Sequence, residues 1–231
     1  PRPQLAIVGE PTEMQVVDAH KSQRGFRTEV PGLEAHSSAT HVGVNAVAAA
    51  ADLIVRLGGI GAGLQGAEMR DPRFDPPYST VHVGVIHGGT ARNIIPRHCH
   101  FEWECRGLPG FDSESVLRRF TKEAERDVLA PMLERHAGAA IATQIVSRVP
   151  ALTATSDNPA QHLALKLVGS NRTFAVSYTT EAGLFQAASV PTVVCGPGNI
   201  REAHRPNEFI EPGQIAACEA FLGRMLDHLA G

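Results

Sequence analysis

Apolar and polar positions along the middle of the chain follow two different periods. Four segments alternate between apolar and polar residues and predict strands, and two carry apolar residues three and four positions apart and predict helices. The strands lie near 22–30, 80–87, 97–106 and 140–147, and the helices near 42–57 and from 112 to about 135. This βαββαβ order is typical of a ferredoxin-like unit.

Local signals refine these elements. Asp112 or Ser113 is the predicted N-cap of the second helix, and Pro131 predicts a kink or a stop. Residues 58–66 are glycine-rich and predict a mobile loop. In the strand 97–106 one face is apolar and one is polar, which predicts a sheet with one face toward a core.

The segments on either side of this unit have another pattern. Residues 1–19 predict one strand and a second, and residues 151–231 predict a helix near 158–169, strands at 173–177 and 191–195, and a closing helix near 213–229. We therefore predict an α/β domain formed by 1–19 and 151–231, with a ferredoxin-like α+β domain inserted at 20–150.

Composition excludes some classes of function. The 231 residues are 43% hydrophobic with a net charge of −3, so no charge excess predicts binding to nucleic acid or to an anionic membrane. No apolar run approaches the roughly 18 residues of a membrane span. The four cysteines lack Cys-x-x-Cys spacing, and Cys99 and Cys105 would lie about 20 Å apart on one strand, too far for a disulfide. These features predict a cytoplasmic protein.

Two polar residues follow apolar strand-like runs. Glu10 follows the run 5–8, and His204 lies in a Gly/Pro-rich loop after 190–194. A carboxylate and an imidazole are ligand types that zinc, cobalt or manganese accept. Alternatively, Glu10 caps a backbone turn and His204 is an ordinary loop histidine. A catalytic zinc needs about three protein ligands, and the sequence offers no clear third.

Three other features have competing interpretations. His98 and His100 have the spacing of a metal pair on a strand, but without an evident third ligand they are interpreted as part of a solvated face. Arg106 precedes a Gly-Leu-Pro-Gly turn and could bind a carboxylate through two hydrogen bonds, or pair with Glu104 or Glu102. His36 lies in a polar loop between a strand and a helix, where binding and catalytic residues concentrate, and is otherwise interpreted as an ordinary loop residue.

In their order along the chain, six motifs resemble the metallopeptidase clan of dizinc deacylases, and within it most closely the acetylornithine deacetylase branch. They are Gly-Glu-Pro-Thr at 9–12, Asp-Ala-His-Lys-Ser at 18–22, Glu-Ala-His-Ser-Ser at 34–38, Asn-Ile-Ile-Pro at 93–96, Thr-Glu-Ala-Gly-Leu-Phe at 180–185, and the His204 loop. No single motif is specific, but the ordered set covers nearly the whole chain.

The resemblance implies roles for individual residues. Glu10 and His204 would each bind one ion of a Zn²⁺ pair, with Co²⁺ as a possible replacement. His36 would stabilise the oxyanion in the active site of a partner protomer, since the inserted domain of this family dimerises. Asn93 and Arg106 match contacts to the substrate carboxylate, and Thr180 a residue near the scissile amide.

Glu181 is a further candidate, inferred from charge complementarity to a distal ammonium group of the substrate. The alternative is that it caps the N-terminus of a helix.

Part of the family pattern is missing. Members begin with a His-x-Asp pair, a bridging Asp and a Glu-Glu pair, and nothing in this sequence matches them. Together with Pro1 as the first residue, this predicts the back part of a partial zinc-exopeptidase-like catalytic domain. We expect such a piece alone to bind metal weakly or not at all and to catalyse nothing.

The implied reaction is hydrolysis of the acetyl amide of N2-acetylornithine. The alternatives are a succinyl-diaminopimelate desuccinylase, a general aminoacylase, or a non-catalytic dimeric binding module. Each of the three enzymatic alternatives implies a small N-acyl amino acid as substrate and a homodimer as the assembly.

Overall fold

The computed structural model describes residues 3–231 and separates them into two compact units. Pro1 and Arg2, where the predicted segment 1–19 begins, lie outside the described residues. Unit 1 comprises residues up to Ser22, Asp71–Pro77 and Val149–Gly231, and unit 2 comprises Gln23–Arg70 and Tyr78–Arg148. The mixed α/β architecture confirms the predicted fold class.

The elements are as follows. The strands are β1 (Ala6–Val8), β2 (Val17–His20), β3 (Ser22–Pro31), β4 (Ala35–His36), β5 (Thr80–Gly88), β6 (Ile94–Ile95), β7 (His98–Gly107), β8 (Ala142–Val149), β9 (Phe174–Val176) and β10 (Thr192–Val194). The α-helices are α1 (Ala46–Gln65), α2 (Ser113–Ala124), α3 (Ala130–Arg135), α4 (Pro159–Val168), α5 (Ala182–Ala187) and α6 (Pro212–Ala230).

Unit 2 is built on a four-stranded sheet with the order β5-β7-β3-β8. In this sheet the first and third of the four main strands are central, which is the ferredoxin-like arrangement that the βαββαβ order predicts. Alternate residues of β7 are buried against the helices, beginning with Cys99, Phe101 and Trp103. Phe26 stacks on Trp103 with ring centroids 3.9 Å apart. The polar residues of β7 therefore line the other face of the sheet.

Helix α1 is longer than the sequence predicts. The prediction of a loop at 58–66 is wrong, because the helix continues to Gln65. Leu57 and Ile60 are buried in the core of unit 2 and Leu64 packs against it, so packing offsets the poor helix propensity of the intervening glycines. Asn45 caps the start by accepting a hydrogen bond from the Ala48 N–H at 3.0 Å.

Helix α1 is also the one helix among residues 3–231 with the length and apolarity of a membrane span, with a mean hydropathy of 1.6. It carries an ion pair between Asp52 and Arg56, and Arg56 also pairs with Asp127 at 2.5 Å. We interpret it as a core helix of unit 2 because one face of it lines the hydrophobic core.

The second predicted helix passes through Pro131 instead of stopping there. Asp112 is its N-cap, as predicted, and accepts a hydrogen bond from the Glu114 N–H. A π-helical turn spans Glu125–Leu129, in which the Ala130 N–H donates to the Glu125 carbonyl, and α3 follows. This wider π-helical turn ends just before Pro131. Proline has no backbone N–H to donate, and in a regular α-helix its ring would clash with the carbonyl four residues earlier.

Unit 1 contains a second four-stranded sheet with the order β1-β10-β2-β9. Strands β1 and β10 are parallel, and β2 pairs with β10 in the antiparallel direction. A hydrophobic cluster around Val16, Val193 and Phe221 brings α4 and α6 against this sheet. Because β1 and β10 run the same way, the loops after both strands leave the sheet at one edge.

Three of the four cysteines are buried, and all four are free thiols. Burial raises the pKa of Cys105 and of Cys195 to about 11, which keeps both thiols protonated at neutral pH. The cysteines therefore act as small core residues, as their spacing predicts.

Candidate metal and substrate site

The loops after β1 and β10 pack directly on each other. The Thr12 N–H donates to the Gly196 carbonyl at 3.2 Å, and the Met14 N–H donates to the same oxygen at 2.8 Å. A Cβ atom on Gly196 would lie 2.6 Å from the Glu10 carbonyl oxygen, so only glycine allows this approach. The backbone of Glu10 is thus fixed by the loop that leads toward His204.

The Glu10 side chain lies in a common electrostatic environment with Glu181 and His204. Partial burial and the Glu181 carboxylate raise the pKa of Glu10, and the His204 imidazole lowers it. Tyr178 belongs to the same neighbourhood, since its hydroxyl donates to the Pro11 carbonyl at 3.4 Å. Burial and then the Glu10 charge raise the pKa of Tyr178 to about 12. Glu10 and His204 of unit 1 are therefore close enough for their charges to interact.

The alternative role of Glu10 as a turn cap belongs to another residue. The Thr12 hydroxyl accepts from the Gly196 N–H at 3.1 Å and donates to the Gln15 carbonyl at 2.8 Å. The side-chain hydrogen bonds of this turn are thus made by Thr12, and the Glu10 carboxylate is not used for them.

His204 lies in an exposed loop with a left-handed backbone, φ +62°. Its N–H donates to a carboxylate oxygen of Glu208 at 3.0 Å, which fixes the turn around it. An exposed imidazole on a hydrogen-bonded turn is accessible to a ligand or to solvent.

Thr180 and Glu181 precede the short helix α5. The buried Thr180 hydroxyl accepts from the Ala182 N–H at 3.0 Å, whereas the exposed Glu181 makes no capping bond with its side chain. The capping role considered for Glu181 thus belongs to Thr180. Glu181 keeps an exposed carboxylate whose negative charge acts on Glu10.

His20 was not selected from the sequence, although it belongs to the motif at 18–22. It is fully buried on β2, and its Nε2 accepts from the Gly183 N–H at 3.3 Å. Its Nδ1 lies 2.9 Å from the Lys21 carbonyl oxygen and 3.4 Å from the Leu152 nitrogen. Burial lowers the pKa of His20 despite these contacts and the nearby Glu181. A neutral His20 thereby holds the start of α5 in place.

His36 and Asn93 lie on a small two-stranded sheet in unit 2. His36 pairs with Ile94 across β4 and β6, and the Ser37 N–H donates to the Asn93 carbonyl at 2.9 Å. The Ser38 N–H and hydroxyl both lie within hydrogen-bond distance of His36 Nδ1, at 3.2 and 2.8 Å. Because a backbone N–H can only donate, Nδ1 is an acceptor and the neutral ring carries its proton on Nε2.

Arg106 lies at the other end of β7 from these two residues. It pairs with Glu104, with 2.7 Å between Arg106 Nε and the nearer carboxylate oxygen, which is the ion pair considered from the sequence. Strand β7 runs about 26 Å from His98 to Arg106 at 3.3 Å per residue. Unit 2 therefore brings His36 and Asn93 together but separates Arg106 from both.

The residues described do not complete a metal site around Glu10 and His204. No group of three potential ligands within 4.8 Å of one another among residues 3–231 includes either residue. Zinc sites in proteins have about three or four protein ligands. Glu10 and His204 can therefore supply only part of such a site.

A cavity of about 510 Å³ in unit 1 lies beside β1 and α6 and is lined mostly by apolar side chains, among them Leu5, Leu163 and Phe221. Its lining does not include Glu10, Glu181 or His204. It does not offer the polar groups that bind and orient a charged amino-acid substrate.

One region of the chain matches a known domain family. Residues 18–130 match the model of the peptidase dimerisation domain, M20_dimer. This part of the chain is therefore similar to the dimerisation domain of M20 peptidases.

The curated sequence relatives are acetylornithine deacetylases. The chain is 34% identical over 227 residues to acetylornithine deacetylase of Yersinia pseudotuberculosis serotype O:1b (strain IP 31758), covering 98% of this chain and 56% of that protein. It is also 34% identical over 232 residues to the enzyme of Klebsiella pneumoniae (strain 342), covering 98% of this chain and 57% of that one. The chain thus spans little more than half the length of these relatives.

Solved structures support the fold. A tripeptidase from Staphylococcus aureus subsp. aureus Mu50 superposes with a TM-score of 0.67 at 19% identity, covering 94% of this chain and 53% of that one. Aminopeptidase PepT from Bacillus cereus ATCC 10987 gives a TM-score of 0.67 at 20% identity, with 98% and 56% covered.

Proposed function

We propose that the protein containing this chain is a metal-dependent amidohydrolase that removes the acetyl group from N2-acetylornithine, giving ornithine and acetate in the cytoplasm. The observation that carries the proposal is that the loop with Glu10 packs on the loop that leads toward His204, in a chain 34% identical to acetylornithine deacetylases. Such a reaction would contribute to arginine biosynthesis.

Glu10 and His204 would each supply one ligand to one of two Zn²⁺ or Co²⁺ ions. Bound metal ions polarise an amide carbonyl and activate water. The remaining ligands and the base that accepts the water proton have to come from outside residues 3–231. Within the chain, the raised pKa of Glu10 fits a carboxylate that gains from a nearby cation, because desolvation and Glu181 disfavour its free charged form.

Glu181 would recognise the distal ammonium group of the substrate, since it is exposed, negatively charged and not used as a helix cap. Thr180 would lie near the scissile amide, held by its hydrogen bond to Ala182. A succinyl substrate carries an extra carboxylate, which the Glu181 charge would repel. This argues against the desuccinylase alternative.

His36 would donate from Nε2 to the oxyanion of a partner protomer's reaction, because its Nδ1 is occupied by Ser38. Preorganised donors of this type are worth about 3 to 4 kcal/mol of barrier. Asn93 and Arg106 would contact the substrate carboxylate. Because Arg106 lies at the end of β7 that is far from Asn93, one small substrate would reach both residues only if they came from different protomers.

A homodimer through unit 2 would meet this requirement. Strand β5 is an edge strand of nine residues without Lys, Arg, Glu, Asp or Pro. Val85 and Ile86 on this strand are 38% and 47% exposed, and Val55 on the neighbouring α1 is 72% exposed. An open apolar edge of this length is a favourable place for a second copy to pair.

The proposal is tested by assaying the complete gene product. We expect faster turnover of N2-acetylornithine than of N-succinyl-diaminopimelate, and the opposite preference would refute the substrate assignment. Glu181→Gln should raise KM for N2-acetylornithine about tenfold but leave KM unchanged for an N-acetyl amino acid of the same length without the distal amine. Glu219→Gln, an exposed change on α6, is the matched control.

A second candidate is a dimeric binding module without catalysis, which the match of residues 18–130 to a dimerisation domain would also fit. The same assay separates the two functions. A complete gene product that binds N2-acetylornithine but releases no acetate in the presence of Zn²⁺ or Co²⁺ would support the binding module.

A further inference from the structure

A second group of potential metal ligands lies on the polar face of the sheet in unit 2. His98 and His100 lie two residues apart on β7, and Glu29 lies on the neighbouring strand β3. His87 lies on β5 as the direct cross-strand partner of His100, with ring centroids 5.4 Å apart. Three adjacent strands thus place one carboxylate and three imidazoles together.

The donor atoms are close enough for one ion. One donor atom each from Glu29, His98 and His100 lies within 4.8 Å of the other two. Zinc binds imidazole nitrogen at about 2.0 to 2.1 Å and carboxylate oxygen at about 2.0 to 2.2 Å, so ligand atoms on opposite sides of the ion are up to about 4 Å apart. Small side-chain rotations on a partly exposed face would close the remaining gap.

The carboxylate of Glu29 is ionised and oriented. Its Oε2 lies 2.6 Å from His98 Nε2, and its Oε1 accepts from Arg27 Nε at 2.6 Å. Partial desolvation raises the pKa of Glu29, but the hydrogen bonds from Arg27 and His98 outweigh it, and the pKa is lowered overall. Arg27 holds one oxygen, and the other points at His98. A cation could therefore lie between this oxygen and the His98 ring.

A simple ion pair between Glu29 and His98 does not account for the other two histidines. His98 and His100 have ring centroids 5.9 Å apart, and His87 adjoins His100 on the other side. Imidazoles this close can each supply one nitrogen to the same divalent ion.

We propose that Glu29, His98 and His100 bind one divalent transition-metal ion of the zinc type, with His87 within reach as a fourth ligand. Two imidazoles with a carboxylate form a ligand set that zinc accepts. The ion would connect β3, β7 and β5. It would be independent of Glu10 and His204, with which this group shares no residue.

The test measures Zn²⁺ binding by the whole chain in a Glu10→Ala/His204→Ala background, which removes the ligands proposed for catalysis. We expect one Zn²⁺ per chain by equilibrium dialysis, and a Zn²⁺-dependent rise in Tm. Adding His98→Ala/His100→Ala should abolish both. His82→Ala is the matched control, because His82 lies on β5 opposite Glu104 and outside the group, and it should change neither.

A milder variant keeps the test valid if the double change disturbs folding. Glu29→Gln preserves shape and should weaken Zn²⁺ binding about tenfold or more, since even residues behind the ligands commonly contribute that much. Unchanged Zn²⁺ affinity in Glu29→Gln and in His98→Ala/His100→Ala would overturn the proposal. So would the absence of Zn²⁺ binding in the background protein.

Discussion

Gly196 is the residue at which the two loops of unit 1 come closest. An added Cβ would lie 2.6 Å from the Glu10 carbonyl oxygen and 2.7 Å from the Gly9 carbonyl carbon, both of which are backbone atoms that cannot rotate away. Gly196→Ala should therefore lower the free energy of unfolding by about 1–3 kcal/mol in urea denaturation. Gly9→Ala is the matched control, because a Cβ there meets nothing within 4 Å. Equal stability of the two variants would contradict the close packing.

His20 makes the stability of the chain depend on pH. Its pKa is lowered from 6.5 in the folded state by burial, so below pH 6.5 the unfolded chain binds a proton that the folded chain does not. This contribution to the free energy of unfolding is complete above pH 6.5 and is lost as the pH falls toward the folded pKa. Thermal unfolding across this range should show a smaller decrease of Tm in His20→Gln than in the unchanged chain.

The exposed His162 on α4 provides the control for this experiment, since its side chain is 60% exposed. His162→Gln should leave the pH profile of Tm unchanged. If His20→Gln follows the same profile as the unchanged chain, His20 is not the group responsible.

Helix α1 is the element in which packing and propensity oppose each other most clearly. Gly58 and Gly59 are exposed on the helix, and a Cβ at either position meets nothing within 4 Å. Gly58→Ala and Gly59→Ala should each stabilise the chain by about 0.5–1 kcal/mol in urea denaturation, because alanine loses less backbone entropy in a helix. Gly61→Ala should gain less, since its Cβ would lie 3.4 Å from Val81 Cβ. No gain at Gly58 or Gly59 would indicate the loop that the sequence predicts.

Some elements of the fold can be predicted from the sequence and others cannot. Apolar periodicity predicts β3, β5, β7 and β8, because each of these strands has one face on a core. It does not reveal the glycine-rich end of α1, where packing by Leu57 and Ile60 decides, or the π-helical turn before Pro131. Helix α5 is also missed, because it is only six residues long.

Some candidate site residues have a local signal in the sequence, and others are recognised only from the structure. Glu10 and His204 follow strands, and that local signal is visible in the sequence. Glu29 is far from His98 in sequence, and only the pairing of β3 with β7 brings them together. The sequence does not show that His20 accepts a hydrogen bond from the Gly183 N–H, so its role at the start of α5 is recognised only from the structure.

At the scale of the whole molecule, the chain covers 56% of its relative from Yersinia pseudotuberculosis, and no group of three potential ligands among residues 3–231 includes Glu10 or His204, the proposed metal ligands. The 231-residue chain alone should therefore release no acetate from N2-acetylornithine with Zn²⁺ or Co²⁺ present, as measured by acetate assay. The complete gene product is the positive control. Acetate release by the chain alone would show that two ligands suffice or that others are recruited.

The proposed dimer makes a prediction that separates the two edges of the sheet in unit 2. Strand β5 forms one edge and β8 the other, and each has an exposed aliphatic residue: Ile86 is 47% exposed and Val146 is 58% exposed. Lysine on an edge strand opposes pairing with a second sheet because its charge would have to be desolvated. Ile86→Lys should thus weaken dimerisation at least about tenfold, or about 1.4 kcal/mol, in sedimentation velocity.

Val146→Lys serves as the matched control and should leave the dimer intact. The choice of β5 follows from its neighbour, since α1 places the exposed Val55 beside it, whereas β8 carries the charged Arg148. Dissociation by Val146→Lys alone would move the interface to β8. If the unchanged chain is a monomer at all concentrations, the proposed dimer is wrong. The proposal that His36 and Asn93 act on the same substrate as Arg106 of another protomer is then wrong as well.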